Sequence, residues 1–158
     1  MTQEHFFGDA KWMGASDRTA ETFSVLRGRF YVASPQKVSL NILGLGFFKC
    51  YINGVCINPD TFLPLSSDYE ASCDPKGQIL SGHRVYVPDF DITPFVKVGE
   101  NVIAVQYGGG WYTFLHRVFG LPKAIYRIAV GDENAQYYIS DENCRIRKGL
   151  VEHYQFDQ

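Results

Sequence analysis

Short runs of alternating apolar and polar residues, each closed by Gly, Pro, Asn or Asp, narrow the folds open to this sequence more than any other feature. Val38, Leu40 and Ile42 fall on one face of a strand and Ser39 and Asn41 on the other; Phe48, Cys50 and Ile52 repeat the pattern, because successive strand side chains point to opposite faces. The runs are rich in Val, Ile, Phe and Tyr, which a pleated surface accommodates better than a helix does. By the same signal, further strands are expected at 22–32, 83–90, 101–107, 124–130, 136–140 and 144–147. Asn53-Gly54 tolerates positive φ at both positions and marks a tight hairpin. Thr93 and Pro94 start one short helical turn, with Thr93 as its cap, Pro94 at the first helical position and Gly99 as its stop. So many short strands predict an all-β chain folded as an antiparallel β-sandwich of jelly-roll or galactose-binding-like type, with that one helical turn.

The 158 residues, 46% of them hydrophobic, suffice to bury one core. No repeat or linker-like run divides them, so residues 1–158 are read as a single domain with its core at about 22–148. The formal charge of -2 gives no footprint for a polyanion, which argues against nucleic acid as a partner. No run approaches the roughly 20 apolar residues that cross a bilayer, and Met1 to Phe7 lacks a basic and then apolar leader. The expectation is a cytoplasmic protein with no membrane partner. Cys50, Cys56, Cys73 and Cys144 form no CxxC pair, and the four histidines are scattered. Zinc is therefore not expected, no cofactor is required, and the cysteines are read as free thiols.

Segment 58–82 breaks the regular strand spacing: Pro59, Pro64, Pro75 and Gly77 interrupt it, and it carries Asp60, Ser66, Ser67, Asp68, Tyr69, Glu70 and Asp74. Long loops in small domains are often functional, although a solvated crossover has the same composition.

An ordered series of motifs runs through the chain: Tyr51-Ile52-Asn53-Gly54, Leu63-Pro64, Ser67-Asp68-Tyr69, Arg84-Val85-Tyr86, Asp91-Ile92-Thr93, Gly99-Glu100-Asn101 and Gly109-Gly110-Trp111-Tyr112. In order and spacing, from Phe23 to about Arg147, this series resembles the N-terminal domain of bacterial α-L-rhamnosidases. Two positions depart from the family pattern: Gly109 stands where an Asp is usual, and Ser66-Ser67 where Trp-Thr is common. The resemblance implies excision from a larger multidomain glycosidase whose (α/α)6 barrel holds the catalytic carboxylates. It also implies rhamnose binding, in some relatives with a calcium ion. The partners it implies are a rhamnose-containing glycan or glycoside and the remaining domains of the parent enzyme.

Binding chemistry fits these residues better than catalysis does. Trp111 and Tyr112 offer a platform for the apolar face of a pyranose, and Asn53, Asp68, Tyr69 and Arg84 offer hydrogen-bonding groups around it. Asp60 and Asp68 are the candidate calcium ligands. The structural reading of the same residues stays open: Trp111 plugs the sandwich, Asn53 serves its turn, and Arg84 pairs with Asp68 or Glu70. Asp89 and Asp91 sit two apart on one strand face, about 7 Å from each other, but the turn after them uses Asp91 and Thr93 as local caps. No nucleophile elbow surrounds Ser66, Ser67 or Cys73, and Gly108-Gly109-Gly110 lacks the Lys-Ser/Thr of a phosphate loop. Alone, the chain is expected to be non-catalytic: either a carbohydrate-recognition module or a purely structural domain packed on a catalytic barrel.

Overall fold

Two antiparallel sheets form the body of the protein in a computed structural model that describes residues 6–14, 23–60, 72–73, 79–81, 86–109, 112 and 120–149. The strands are β1 (Ser24–Val32), β2 (Val38–Leu45), β3 (Phe47–Ile52), β4 (Val55–Cys56), β5 (Ser72–Cys73), β6 (Ile79–Ser81), β7 (Asp89–Asp91), β8 (Gly99–Gly108), β9 (Lys123–Val130), β10 (Gln136–Ile139) and β11 (Arg145–Lys148). One sheet has the order β11-β1-β8-β3-β4 and the other β10-β9-β2-β7, while β5 and β6 pair separately. The fold is the antiparallel β-sandwich that the alternation predicts.

Period two fixes what each strand buries. Leu26 lies opposite Val105, and Val105 opposite Cys50, while Phe48 faces Tyr107 and Ile52 faces Ile103 across the five-stranded sheet. From the other sheet, Val38 pairs with Val130, Leu40 with Ile128 and Ile42 with Tyr126. These thirteen side chains belong to one core cluster, and full burial of such a side chain stabilises by about 1.5–3 kcal/mol. Slipping any strand by one residue would turn its core set to water, so the pattern fixes register as well as fold.

Several details differ from the sequence reading. β7 spans only Asp89–Asp91, and residues 86–88 outside it have no ladder partner, because Pro88 has no amide hydrogen to donate. β8 begins at Gly99 and β2 runs on to Leu45. The helical turn is 3-10, covers Thr93–Phe95 and ends at extended Val96 rather than Gly99. Thr93 does not cap it: the Asp91 carboxylate accepts the Thr93 amide at 3.0 Å, and the Thr93 hydroxyl accepts the Val38 amide of β2 at 2.9 Å. That acceptance holds the Asp91 carboxyl below its usual range, through the hydroxyl and amide of Thr93. Within the long 58–82 segment, β5 and β6 pair Ser72 with Ser81 and Cys73 with Ile79.

The N-terminal residues form a strap on the outer face of the four-stranded sheet, so packing reaches beyond the expected 22–148. Phe7, Leu43 and Ile125 make a second buried cluster with Phe6 and Ala10. The Lys11 amide donates to Ser140 O at 2.7 Å, and Met13 bridges to Ala124 in both directions. Arg127 rises from the same face with its guanidinium over the rings of Phe6 and Tyr137, 4.9 and 5.3 Å from their centroids. Cys50, Cys56 and Cys144 are unpaired thiols, and burial pushes that of Cys50 far up.

Candidate functional site

The two ends of the sandwich receive different parts of the motif series. At the end where β8 begins, Asn53 adopts φ 51° in the turn between β3 and β4. Its amide nitrogen donates to Phe95 O at 3.0 Å and to Asn101 Oδ1 at 2.8 Å, and its carbonyl accepts the Val102 amide at 3.0 Å. Asn101, fully buried, also accepts the Lys97 amide at 2.8 Å and donates to Lys97 O at 2.7 Å and Gly99 O at 3.0 Å. Two motifs that read as separate turns in the sequence are thus one polar knot tying the hairpin, the 3-10 turn and β8 together. Both amide hydrogens of Asn53 are committed to it.

The opposite end is made of glycines and close backbone. Gly46 has φ 114°, and a Cβ there would run into the Gly108 carbonyl oxygen and come within 2.9 Å of Gly109 O. Gly108 makes room for Phe23, whose ring would lie 2.8 Å from an added Cβ. Tyr112 follows, half-buried, its amide donating to Gly109 O at 3.1 Å and its hydroxyl 3.2 Å from where a Cβ on Gly120 would stand. Burial pushes that hydroxyl's pKa up. Segment 57–60 is carried towards this end along β3: the Ile57 amide binds Cys50 O, Asn58 accepts the Cys50 amide at 2.8 Å and donates to Phe48 O at 3.3 Å. The Lys49 ammonium then clamps Asn58 O and Pro59 O at 2.8 and 2.6 Å, leaving Asp60 exposed at the tip.

Asn53 and Tyr112 therefore do not share a rim. Six residues of β8 separate Val102 from Gly108, which is about 20 Å at the rise of a strand. Asp60 and Tyr112 are directed to one end, Asn53 to the other; Asp68, Tyr69, Arg84 and Trp111 lie outside the described residues. Asn58 and Asn101 were missed as organising residues. The signal for Asn101 was its parity, since it occupies the same strand face as Ile103, Val105 and Tyr107, where an apolar residue is expected.

For catalysis the described residues supply little. Asp89 and Asp91 are both exposed, and the depressed carboxyl of Asp91 is the reverse of what a general acid needs. Among the described residues no group of three or more His, Cys, Asp or Glu converges as a metal site.

The decisive comparison is with protein families. The model of the alpha-L-rhamnosidase N-terminal domain matches residues 33–155. The chain belongs to that family. Among solved structures, it is similar to alpha-L-rhamnosidases from Aspergillus terreus (20% identity, TM-score 0.74, 97% of this chain and 18% of that one) and Dictyoglumus thermophilum (24%, 0.66, 89% and 16%). The Streptomyces avermitilis enzyme complexed with L-rhamnose is a third (22%, 0.66, 84% and 13%). At these identities the likeness speaks for the fold, and the chain spans less than a fifth of the length of each enzyme. Among curated proteins none matches.

Proposed function

We propose that this rhamnosidase N-terminal domain is a non-catalytic recognition module for L-rhamnose or rhamnose-containing glycans, serving a larger α-L-rhamnosidase whose barrel does the hydrolysis. The observation that carries the reading is the glycine-lined end of the sandwich, where Tyr112 follows Gly109 and the Lys49 clamp directs Asp60 towards the same end. A rigid backbone cradle beside an aromatic ring suits a pyranose whose C6 methyl favours an apolar surface. In this reading Trp111 and Tyr112 form the platform, and Asp68, Tyr69 and Arg84 supply hydrogen bonds. Asn53 acts through the fold, because its amide is already spent.

A calcium ion on Asp60 and Asp68 is a subsidiary part of the proposal. Such an ion takes six to eight oxygens, and the described residues bring one carboxylate, so no step depends on it. The rival reading, a purely structural domain packed against the barrel, draws support from the way Asn53 and Asn101 are consumed in holding the fold. Titrating the domain with L-rhamnose, with and without Ca²⁺, while following tryptophan fluorescence separates the two. Saturable binding that Tyr112→Ala weakens at least tenfold is expected; a flat response in both conditions would favour the structural rival.

A further inference from the structure

We infer that the β1–β11 edge is a second binding site, one that takes a carboxylate-bearing sugar. In the ladder between these strands Arg27 lies directly opposite Arg145, and Val25 opposite Arg147, so three guanidiniums share the outer face of the five-stranded sheet. Directly opposed strand residues have Cβ atoms about 4.5–5.5 Å apart, and like charges there are destabilising. Arg29, next on the same face, is drawn to Glu100 at 3.3 Å. Among the described residues no carboxylate pairs with Arg27, Arg145 or Arg147. A chain of net charge -2 thus gathers positive charge on one edge at a cost to its own stability, which fits a site awaiting an anion.

The same arginines line space for one. β11 ends its pairing at Arg27, and where the β1 edge continues alone a cleft of about 480 Å³ opens along that edge, lined by Arg27, Arg29, Arg145, Tyr138, Asp141 and Asn143. That volume lies within the range of small-ligand sites. Tyr126 is buried, its hydroxyl 3.2 Å from Cys144 Sγ, and Gly28 is required beneath it because a Cβ would strike that hydroxyl. Asp141, the acid of the cleft, is held by the Asn143 amide at 2.9 Å and the Asn143 side chain at 3.0 Å. A groove of about 320 Å³ leads on past Val25 and Arg147 to Gly149, which binds Phe23 O and so reaches the Gly108 end. A guanidinium grips a carboxylate through parallel N–H···O bonds, while the Tyr138 ring and the Asn143 amide suit a sugar ring and its hydroxyls.

The sugar class rests on the carbohydrate reading above; the anion does not. The 158-residue chain, isotope-labelled, is titrated by NMR with D-glucuronate, with D-glucose as neutral counterpart and triglutamate as an acidic peptide. Glucuronate is expected to shift the amides of Arg27, Gly28 and Asn143 saturably, glucose not, and triglutamate at least tenfold more weakly. Arg27→Gln and Arg145→Gln should each lose tenfold or more in glucuronate affinity and melt no lower than the parent, because opposed like charges are relieved. Their L-rhamnose titrations should match the parent's, so failure of the rhamnose site reads out separately. Equal response to glucose and glucuronate, no response to either, or unchanged affinity in both variants overturns the inference. Equal or tighter binding of triglutamate overturns the sugar and points to an acidic protein surface.

Discussion

Replacing Asn101 by Ala should destabilise the domain more than most polar-to-alanine changes. Asn101 is fully buried and makes four hydrogen bonds, to the Lys97 amide and carbonyl, Gly99 O and the Asn53 amide nitrogen. Alanine removes all four at once. An orphaned buried group costs about 1–3 kcal/mol, and because Lys97 is exposed water recovers part of the loss, leaving about 3–5 kcal/mol. For a chain of this size that is a fall in Tm of roughly 6–20 °C. Asn53→Gly keeps the left-handed turn while deleting its three bonds and should cost about 1–2 kcal/mol, since the residue is exposed. The two residues share the 2.8 Å bond, so the double variant should lose less than the sum by about 0.5 kcal/mol or more. Urea unfolding of the four proteins, with the m-value monitored, measures the cycle. A loss below 1 kcal/mol for Asn101→Ala, or strict additivity, would refute the idea of a single knot.

Two further outcomes are expected. Gly28→Ala should cost about 1–3 kcal/mol through overpacking against Tyr126 and Ile103, and adding Tyr126→Phe should recover part of it in thermal melts; an unchanged Tm for Gly28→Ala would show that the cleft floor yields. In the native protein Cys50 should resist iodoacetamide at pH 8, being fully buried and protonated, while the partly exposed Cys56 and Cys144 are labelled. Peptide mass spectrometry reads this, and labelling of Cys50 as fast as Cys56 would contradict the packing.

Local physics accounts for what was legible. Alternation marked both faces of β1, β2, β3, β8 and β9, because one-sided burial imposes period two, and Asn53-Gly54 marked its hairpin because few residues tolerate positive φ. Pro88 could have shortened the 83–90 strand in advance, through its missing donor. Partnerships distant in sequence were not legible. That Arg27 meets Arg145, or that the Thr93 hydroxyl serves β2 instead of its own turn, depends on strand order, which no local pattern encodes. The candidate site fared likewise: each motif was visible, but only the ladder between β3 and β8 reveals that Asn53 and Tyr112 belong to opposite ends. The strap escaped because its apolar residues, Phe6, Phe7, Ala10, Trp12 and Met13, follow neither the period of a strand nor that of a helix.

That strap decides what a neighbour meets at one corner of the domain. With Phe7 seated on Leu43 and Ile125, and Lys11 and Met13 bonded to Ser140 and Ala124 along the edge, one corner of the outer surface of β2 and β9 is already covered by the chain itself. An adjoining body that meets this corner therefore touches Phe6, Phe7 and Ala10 instead of bare strands, so the N-terminal residues belong to any contact made there.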